Sequence, residues 1–220
     1  MLLGRYRHIA VEGPIGVGKS SLARKLAAHF GAELLHERAD ENPYLERFYA
    51  DPPRHALQTQ LAFLLQRVRQ AQALAQPGMF VDGVVSDFVF AKDALFARLT
   101  LSDDEHRLYA GIAAQVLPHP PQPDLVVWLQ ASPATLLERI RRRGLAMEQG
   151  IGEDYLQRLC DAYVDHFDAH EGAPVLAVVT DAFNPLERPS DFDLLLARLH
   201  TFDGRHALLD PGAEPAGCDG

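Results

Sequence analysis

Gly13, Pro14, Ile15, Gly16, Val17, Gly18, Lys19 and Ser20 match G-x-x-x-x-G-K-S in full, followed by a second serine, Ser21. The chemistry such a run performs is the cradling of a phosphate chain. Glycines let successive backbone N–H groups curl around phosphate oxygens, a lysine adds a point charge at the β and γ positions, and the first serine hydroxyl suits Mg²⁺. The loop lies between the apolar run "HIAVEG" and the helix-like "SSLARKLAAHF". The positive end of that helix therefore points at the same anion. A plain glycine turn between strand and helix would need neither the lysine nor the serine.

A second concentration of charge lies far along the chain. "LLERIRRRGLAMEQGI" (Leu136 to Ile151) carries Arg139, Arg141, Arg142 and Arg143. Arg139 and Arg143 are four residues apart and share a helix face, and Gly144 then breaks the helix. Beside a phosphate loop this reads as an arginine-rich lid that closes over phosphates and excludes water. The alternative is a solvated helix end whose cations favour the C-terminal dipole. No N-K-x-D guanine box occurs, which weighs against a guanine-nucleotide switch.

These groups need a scaffold, and the chain alternates strand-like and helix-like runs. Strands are expected within His8 to Gly13, Gly31 to Glu37, Met79 to Asp87, Pro123 to Gln130 and Ala173 to Thr180. The continuous apolar character of "LVVWL" suits a strand covered on both faces. The alternation predicts an α/β domain of three layers, a five-stranded parallel sheet flanked by helices. The longest expected helix runs from Arg54 to Gln76 and is ended by Pro77 and Gly78. Its Leu57, Leu61, Leu64, Val68 and Ala71 form one stripe, either core or a dimer seam. Another helix is expected from Glu105 to Val116. One domain covers residues 1–203, and residues 204–220 read as a disordered tail.

Composition narrows the partners. The 220 residues are 47% hydrophobic and 23% charged, enough for a sizeable core, and the formal net charge is −9. An acidic chain is poorly suited to a nucleic-acid polymer, although a small nucleotide needs only a local basic site. Two cysteines, Cys160 and Cys218, do not make a disulfide framework. No apolar run approaches the length of a membrane span, and "MLLGRYRH" lacks the core of a signal peptide. A cytoplasmic protein is expected.

Several segments together resemble the deoxynucleoside kinase family, particularly its bacterial purine-preferring branch. They are "IAVEGPIGVGKSSLA", "HERADENPYLERFY", "QLAFLLQR", "VVSDFVFAKDALFA", "DLVVWLQASPATLLERIRRRG" and "EQGIGEDYL", spread from Arg7 to Val179. Thymidylate kinases share the loop and fold but fit these segments less well.

The resemblance implies roles. Glu37, at the end of the second strand, becomes the base at the sugar 5′-hydroxyl, a task its carboxylate can perform. Without the resemblance, a solvated strand-end acid would be the better reading. Tyr49 and Glu148 become contacts of the 3′-hydroxyl. Gln60 and Arg67, seven residues apart on one helix face, become base-reading groups, and paired hydrogen bonds from the amide suit that work. Phe63 and Phe88 are candidates to sandwich the base, or to be core. Asp87 suits the Mg²⁺ shell with Ser20. Asp93 falls where a base-contacting aspartate sits, though a shift of one residue substitutes Lys92. Two departures stand out. Animal members carry Glu-Arg-Ser where this chain has Ser86, Asp87 and Phe88, so the cation that steadies the catalytic carboxylate must come from elsewhere or be absent. Leu145 also stands where a lid arginine is common.

The activity implied is transfer of the γ-phosphoryl group of ATP, with Mg²⁺, to the 5′-hydroxyl of a deoxynucleoside, with deoxyguanosine or deoxyadenosine as the expected acceptor and a homodimer as the expected assembly. Lys19, Arg139 and Arg143 would neutralise phosphate charge. A nucleoside monophosphate kinase and a non-catalytic nucleotide-binding module are the competing readings.

Overall fold

The computed structural model describes residues 5–75 and 83–212. Six parallel strands form one sheet in the order β2-β3-β1-β4-β5-β6. They are β1 (His8–Glu12), β2 (Glu33–Leu35), β3 (Val84–Ser86), β4 (Leu125–Gln130), β5 (Val175–Val179) and β6 (His206–Leu209). The central strand β1 is in register with β3 on one side (Ile9 opposite Val85) and with β4 on the other (Val11 opposite Val127). Ile9, Val11, Val85, Val127 and Leu176 have no solvent exposure, because helices cover both faces.

The helices are α1 (Lys19–Phe30), α2 (Leu45–Ala50), α3 (Pro52–Leu74), α4 (Lys92–Thr100), α5 (Asp103–Val116), α6 (Pro133–Arg143), α7 (Glu153–Asp168) and α8 (Pro189–Thr201). Local chemistry sets several of their ends. The Ser102 side chain and Glu105 form a reciprocal capping box at the start of α5. Ser132 caps α6, and Gly144 at φ 71° ends it in the left-handed conformation that favours glycine.

The three-layer α/β expectation holds, with one correction: the sheet has six strands rather than five. The added strand lies in the segment expected to be tail. "HALL" is short, sits on the sheet edge and has alternating exposure, so its apolar pattern is too brief to read locally. Pairing with β5 creates it: Val175 N donates to Arg205 O at 2.8 Å, and His206 lies opposite Val175. Residues 213–220, with Cys218, lie outside the described residues, as do Gln76, Pro77, Gly78 and the first residues of the third expected strand.

On α3 the stripe is partly accounted for within the chain. Leu57, Leu61 and Leu64 pack with Ala97 of α4 and with Tyr109 and Ile112 of α5. Polar positions offset from the stripe are buried as deeply as Leu64 within it, with Thr59 at 1%, Gln60 at 3% and Arg67 at 0% exposure. A polar face of a helix buried this deeply marks a site.

Candidate active site

A cavity of about 550 Å³ opens at the carboxyl ends of the strands, where parallel α/β sheets place their ligands. One end is the glycine loop between β1 and α1. Gly13 has φ 146°, and a Cβ there would overlap the Leu129 carbonyl oxygen of β4. Gly16 has φ 85° and backs onto Ile140 of α6, whose Cγ1 would lie 2.9 Å from an added Cβ. Glycine is required at both because the loop is pressed against its neighbours. Ile15 to Ser21 line the cavity, and Lys19 Nζ donates to the Pro14 carbonyl at 3.0 Å. Burial, then the nearby Lys92 ammonium, pushes the Lys19 pKa down to about 8.

Glu12 underlies this end. It has no solvent exposure, and its carboxylate accepts from Gly13 N (2.8 Å), Tyr163 Oη of α7 (2.8 Å) and Val89 N (2.9 Å). Three donors satisfy a charge that burial alone would make very costly. They also tie the glycine loop to the β3–α4 connection and to α7.

At the other end Glu37 lies two residues beyond β2 rather than at its end. Its backbone N–H donates to Asp87 Oδ1 at 2.6 Å, which fixes the turn. Its carboxylate is held from two sides, by Arg67 Nη2 and by Lys92 Nζ at 2.7 Å. Burial favours the neutral acid, but Lys92 and Arg67 outweigh it and hold the carboxyl far below the ordinary glutamate range. Asp87 accepts from Ser20 Oγ on its other oxygen at 2.5 Å. His36 Nδ1 lies 2.6 Å from that oxygen too, a close approach whose angle is too poor for a hydrogen bond.

Between the two ends the walls carry Tyr49, Thr59, Gln60, Phe63, Asp93, Phe96, Glu148 and Tyr155. Gln60 Nε2 donates to Thr100 Oγ1 at 3.3 Å, and that hydroxyl donates to Phe96 O at 2.7 Å. The chain of donors sets the amide orientation and leaves the Gln60 oxygen for a ligand. Asp93 Oδ1 pairs with Arg67 Nε at 3.2 Å, while its buried Oδ2 has no partner. Burial pushes the Asp93 carboxyl up to about 6. Tyr49 is pushed up by burial and by its neighbours Tyr155 and Glu148.

The structure does not bring every expected residue to the cavity wall. Arg67 is fully buried and reaches Glu37, Asp93 and Gln70 instead. Phe88 has no exposure and lies beneath Arg67, its ring centroid 4.0 Å from the guanidinium carbon; it is a support for that cation and not one face of a ring sandwich. Asp87 is at 1% exposure and meets the cavity through Ser20, His36 and the backbone of Glu37. Phe63 does line the wall.

The arginine helix stands over the glycine loop. Arg139 donates to the Thr180 carbonyl (2.5 Å), the Thr180 hydroxyl (3.0 Å) and the Val17 carbonyl (3.4 Å). Arg143 makes a forked pair with Glu148, at 2.6 Å to each oxygen. Arg142 and Leu145 complete this edge.

Sequence reasoning passed over three contributors, Glu12, Lys92 as a cavity-wall cation and the turn from Asn184 to Glu187, and counted Arg142 in the arginine run without giving it a role of its own. A carboxylate inside the apolar "IAVEG" was a legible sign of a buried, partnered acid. The turn carries no motif. It is built by Asn184 Oδ1 accepting from Leu186 N and Glu187 N, and by Lys25 donating to the Pro185 and Leu186 carbonyls.

Serine and carboxylate oxygens are suitable donors for a hard cation, which in such sites keeps several waters and substrate oxygens. Ser20 and Asp87, already within 2.5 Å of each other, fit Mg²⁺ on that chemistry.

Comparison with known proteins agrees with this geometry. The chain is 33% identical over 196 residues to a deoxyguanosine kinase of Bacillus subtilis, covering 87% of this chain and 95% of the relative. It is 30% identical over 195 residues to a deoxyadenosine/deoxycytidine kinase of the same organism, covering 85% and 84%. A solved structure of deoxyadenosine kinase from M. mycoides, with products dCMP and dCDP bound, superposes with a TM-score of 0.74 at 25% identity. It covers 89% of this chain and 100% of that one. The sequence pattern of deoxynucleoside kinases matches residues 9–202. With the loop, the buried acid and the arginine helix all inside that span, the chain belongs to the deoxynucleoside kinase family.

Proposed function

We propose that this kinase moves the γ-phosphoryl group of ATP to the 5′-hydroxyl of a purine deoxynucleoside. The observation that carries the reading is the composition of the acceptor half of the cavity. Apart from Lys92, which is paired with Glu37, its side chains Tyr49, Thr59, Gln60, Phe63, Asp93 and Glu148 are neutral or acidic. They suit an uncharged sugar and base. A nucleoside monophosphate would need a basic pocket for its own phosphate, and none of these six side chains is a cation. A module that only binds nucleotide would have no use for the buried Glu37 or for an acceptor half at all.

The mechanism follows from positioning and charge. The loop N–H groups and Lys19 hold the donor phosphates, and the Asn184–Glu187 turn walls the donor base. Ser20 and Asp87 would hold Mg²⁺, which neutralises charge on the donor phosphates when bound. Arg139 and Arg143 turn from their present carbonyl and carboxylate partners onto phosphate oxygens. Glu37 receives the 5′-hydroxyl proton as the new P–O bond forms. Gln60 and Asp93 read the base, held in place by Arg67. Tyr49 and Glu148, freed from Arg143, take the 3′-hydroxyl. The donor triphosphate suits a cytoplasmic setting. Leu65 of α3 and Leu108 of α5, both more than half exposed, support a homodimer, to be checked by light scattering.

Incubating the protein with labelled ATP and a panel of deoxynucleosides, ribonucleosides and nucleoside monophosphates tests the reading. Label should enter deoxyguanosine and deoxyadenosine most rapidly. Label entering only the monophosphates would replace this reading with the monophosphate-kinase one.

A further inference from the structure

Lys92 is the first residue of α4, and two features aim it. Its backbone N–H donates to the Val89 carbonyl at 3.2 Å, and Val89 N is itself pinned by the buried Glu12. Its ammonium lies 5.3 Å over the Phe96 ring one turn further along the helix. The side chain is 11% exposed and its nitrogen is 2.7 Å from Glu37 Oε2. Arg67, which holds the other oxygen, is wholly buried and lies behind the cavity wall. Lys92 is in the wall, together with Lys19 and Glu37.

This arrangement is more than an internal ion pair. Glu37 already has a buried guanidinium as counter-charge. A second cation stands on the cavity side of the same carboxylate, 2.7 Å from it, in the wall that also carries Lys19, where an entering anion would meet both ammonium groups. The anion that enters is the phosphoryl group. A phosphoryl group passing from the phosphate loop to a hydroxyl on Glu37 would cross a cavity whose wall carries both ammonium groups. An ammonium has three donors, so Lys92 can keep one on Glu37 and offer another to a phosphoryl oxygen.

We propose that Lys92 is a further catalytic residue, a cation that bridges Glu37 and the transferred phosphoryl group. In the step itself, O5′ forms a bond to the γ-phosphorus and the bond from that phosphorus to the β–γ bridging oxygen breaks. The electron pair stays with the diphosphate, and the hydroxyl proton goes to Glu37. Charge spreads over the three equatorial oxygens, with Lys19 on one side and Lys92 on the other. The inference rests on the kinase reading above. It assigns to the first turn of α4 the cation that is missing beside Asp87.

The test compares Lys92→Met and Lys92→Arg with the wild type by kcat and KM for the preferred deoxynucleoside, with nucleoside Kd measured by calorimetry. Loss of one preorganised donor to developing charge should lower kcat by about 10²–10³-fold in Lys92→Met. KM and Kd for the nucleoside should move far less, and Lys92→Arg should recover at least about tenfold of the loss, since it restores the charge. Where the methionine variant does not fold, Lys92→Gln carries the same reading. A kcat close to wild type in a folded uncharged variant overturns the proposal, as does a loss confined to KM. Failure of both uncharged variants to fold makes Lys92 a structural counter-ion and overturns it equally. A wild type that phosphorylates no deoxynucleoside sinks the kinase reading itself, a distinct outcome.

Discussion

Ser20 and Asp87, 67 residues apart in the chain, are joined by a hydrogen bond of 2.5 Å from the serine hydroxyl to carboxylate Oδ2. The same carboxylate fixes the backbone of Glu37 through its other oxygen. One aspartate thus connects the phosphate loop to the acid proposed to receive the acceptor's proton. Asp87→Asn should raise the Mg²⁺ concentration needed for half-maximal rate by tenfold or more (order of magnitude for loss of one hard oxygen ligand). Ser20→Ala should do the same. Initial rates across a Mg²⁺ titration check this, and an unchanged metal dependence in both variants removes the pair from the metal site.

Glu37→Gln keeps size and hydrogen bonding but cannot take a proton. Its kcat should fall roughly 10²–10⁴-fold, with nucleoside affinity changed far less. If this variant alters only the Mg²⁺ dependence while Asp87→Asn abolishes turnover at saturating metal, the two carboxylates have each other's roles.

Arg143 holds Glu148 at 2.6 Å, and Tyr49 feels the same carboxylate. A site built to bond a hydroxyl rejects the analogue that lacks it, because its own polar groups are left unpaired. The kcat/KM for a 2′-deoxynucleoside should exceed that for its 2′,3′-dideoxy analogue by about 10²-fold or more. In Glu148→Ala the ratio should shrink. Equal values in the wild type would take both residues out of the sugar site.

Burial pushes Asp93 up to about 6, above the ordinary aspartate value of 3.8. The folded state therefore retains a proton that the unfolded chain has released. The associated stability is fully present below 3.8 and is lost as pH rises through about 6. In activity the sign is opposite. The ionised form holds Arg67 behind the base site, so kcat/KM for the nucleoside should fall as pH drops through about 6. Asp93→Asn should flatten that limb in a pH–rate profile; a limb unchanged in the variant belongs to another group.

Much of the scaffold and part of the candidate site were legible in the residues alone. The phosphate loop and the arginine helix are local devices, built by neighbours in sequence, so spacing reveals them. The same holds for strands covered on both faces, such as "LVVWLQ", whose apolar runs are long enough to read. Glu37, Tyr49, Gln60 and Glu148 needed the resemblance as well, because a single carboxylate or amide has no periodicity.

Tertiary structure decided the rest, for reasons of range and burial. An edge strand of four residues has too little local pattern to announce itself, and "HALL" becomes β6 only by pairing with β5. Arg67 and Phe88 look like ligand-facing groups on a helix and at a strand end. Burial instead puts the ring under the guanidinium and both behind the wall, because a fully enclosed cation must be surrounded by partners. Lys92 and Asp93 are adjacent in sequence, and either fits the expected position. A helix turns neighbours about 100° apart, so one faces Glu37 while the other meets Arg67. Which residue goes where depends on the angle at which α4 leaves the sheet, set by the contact from Val89 to a glutamate 77 residues earlier. No local rule contains that angle, and the fold supplies it.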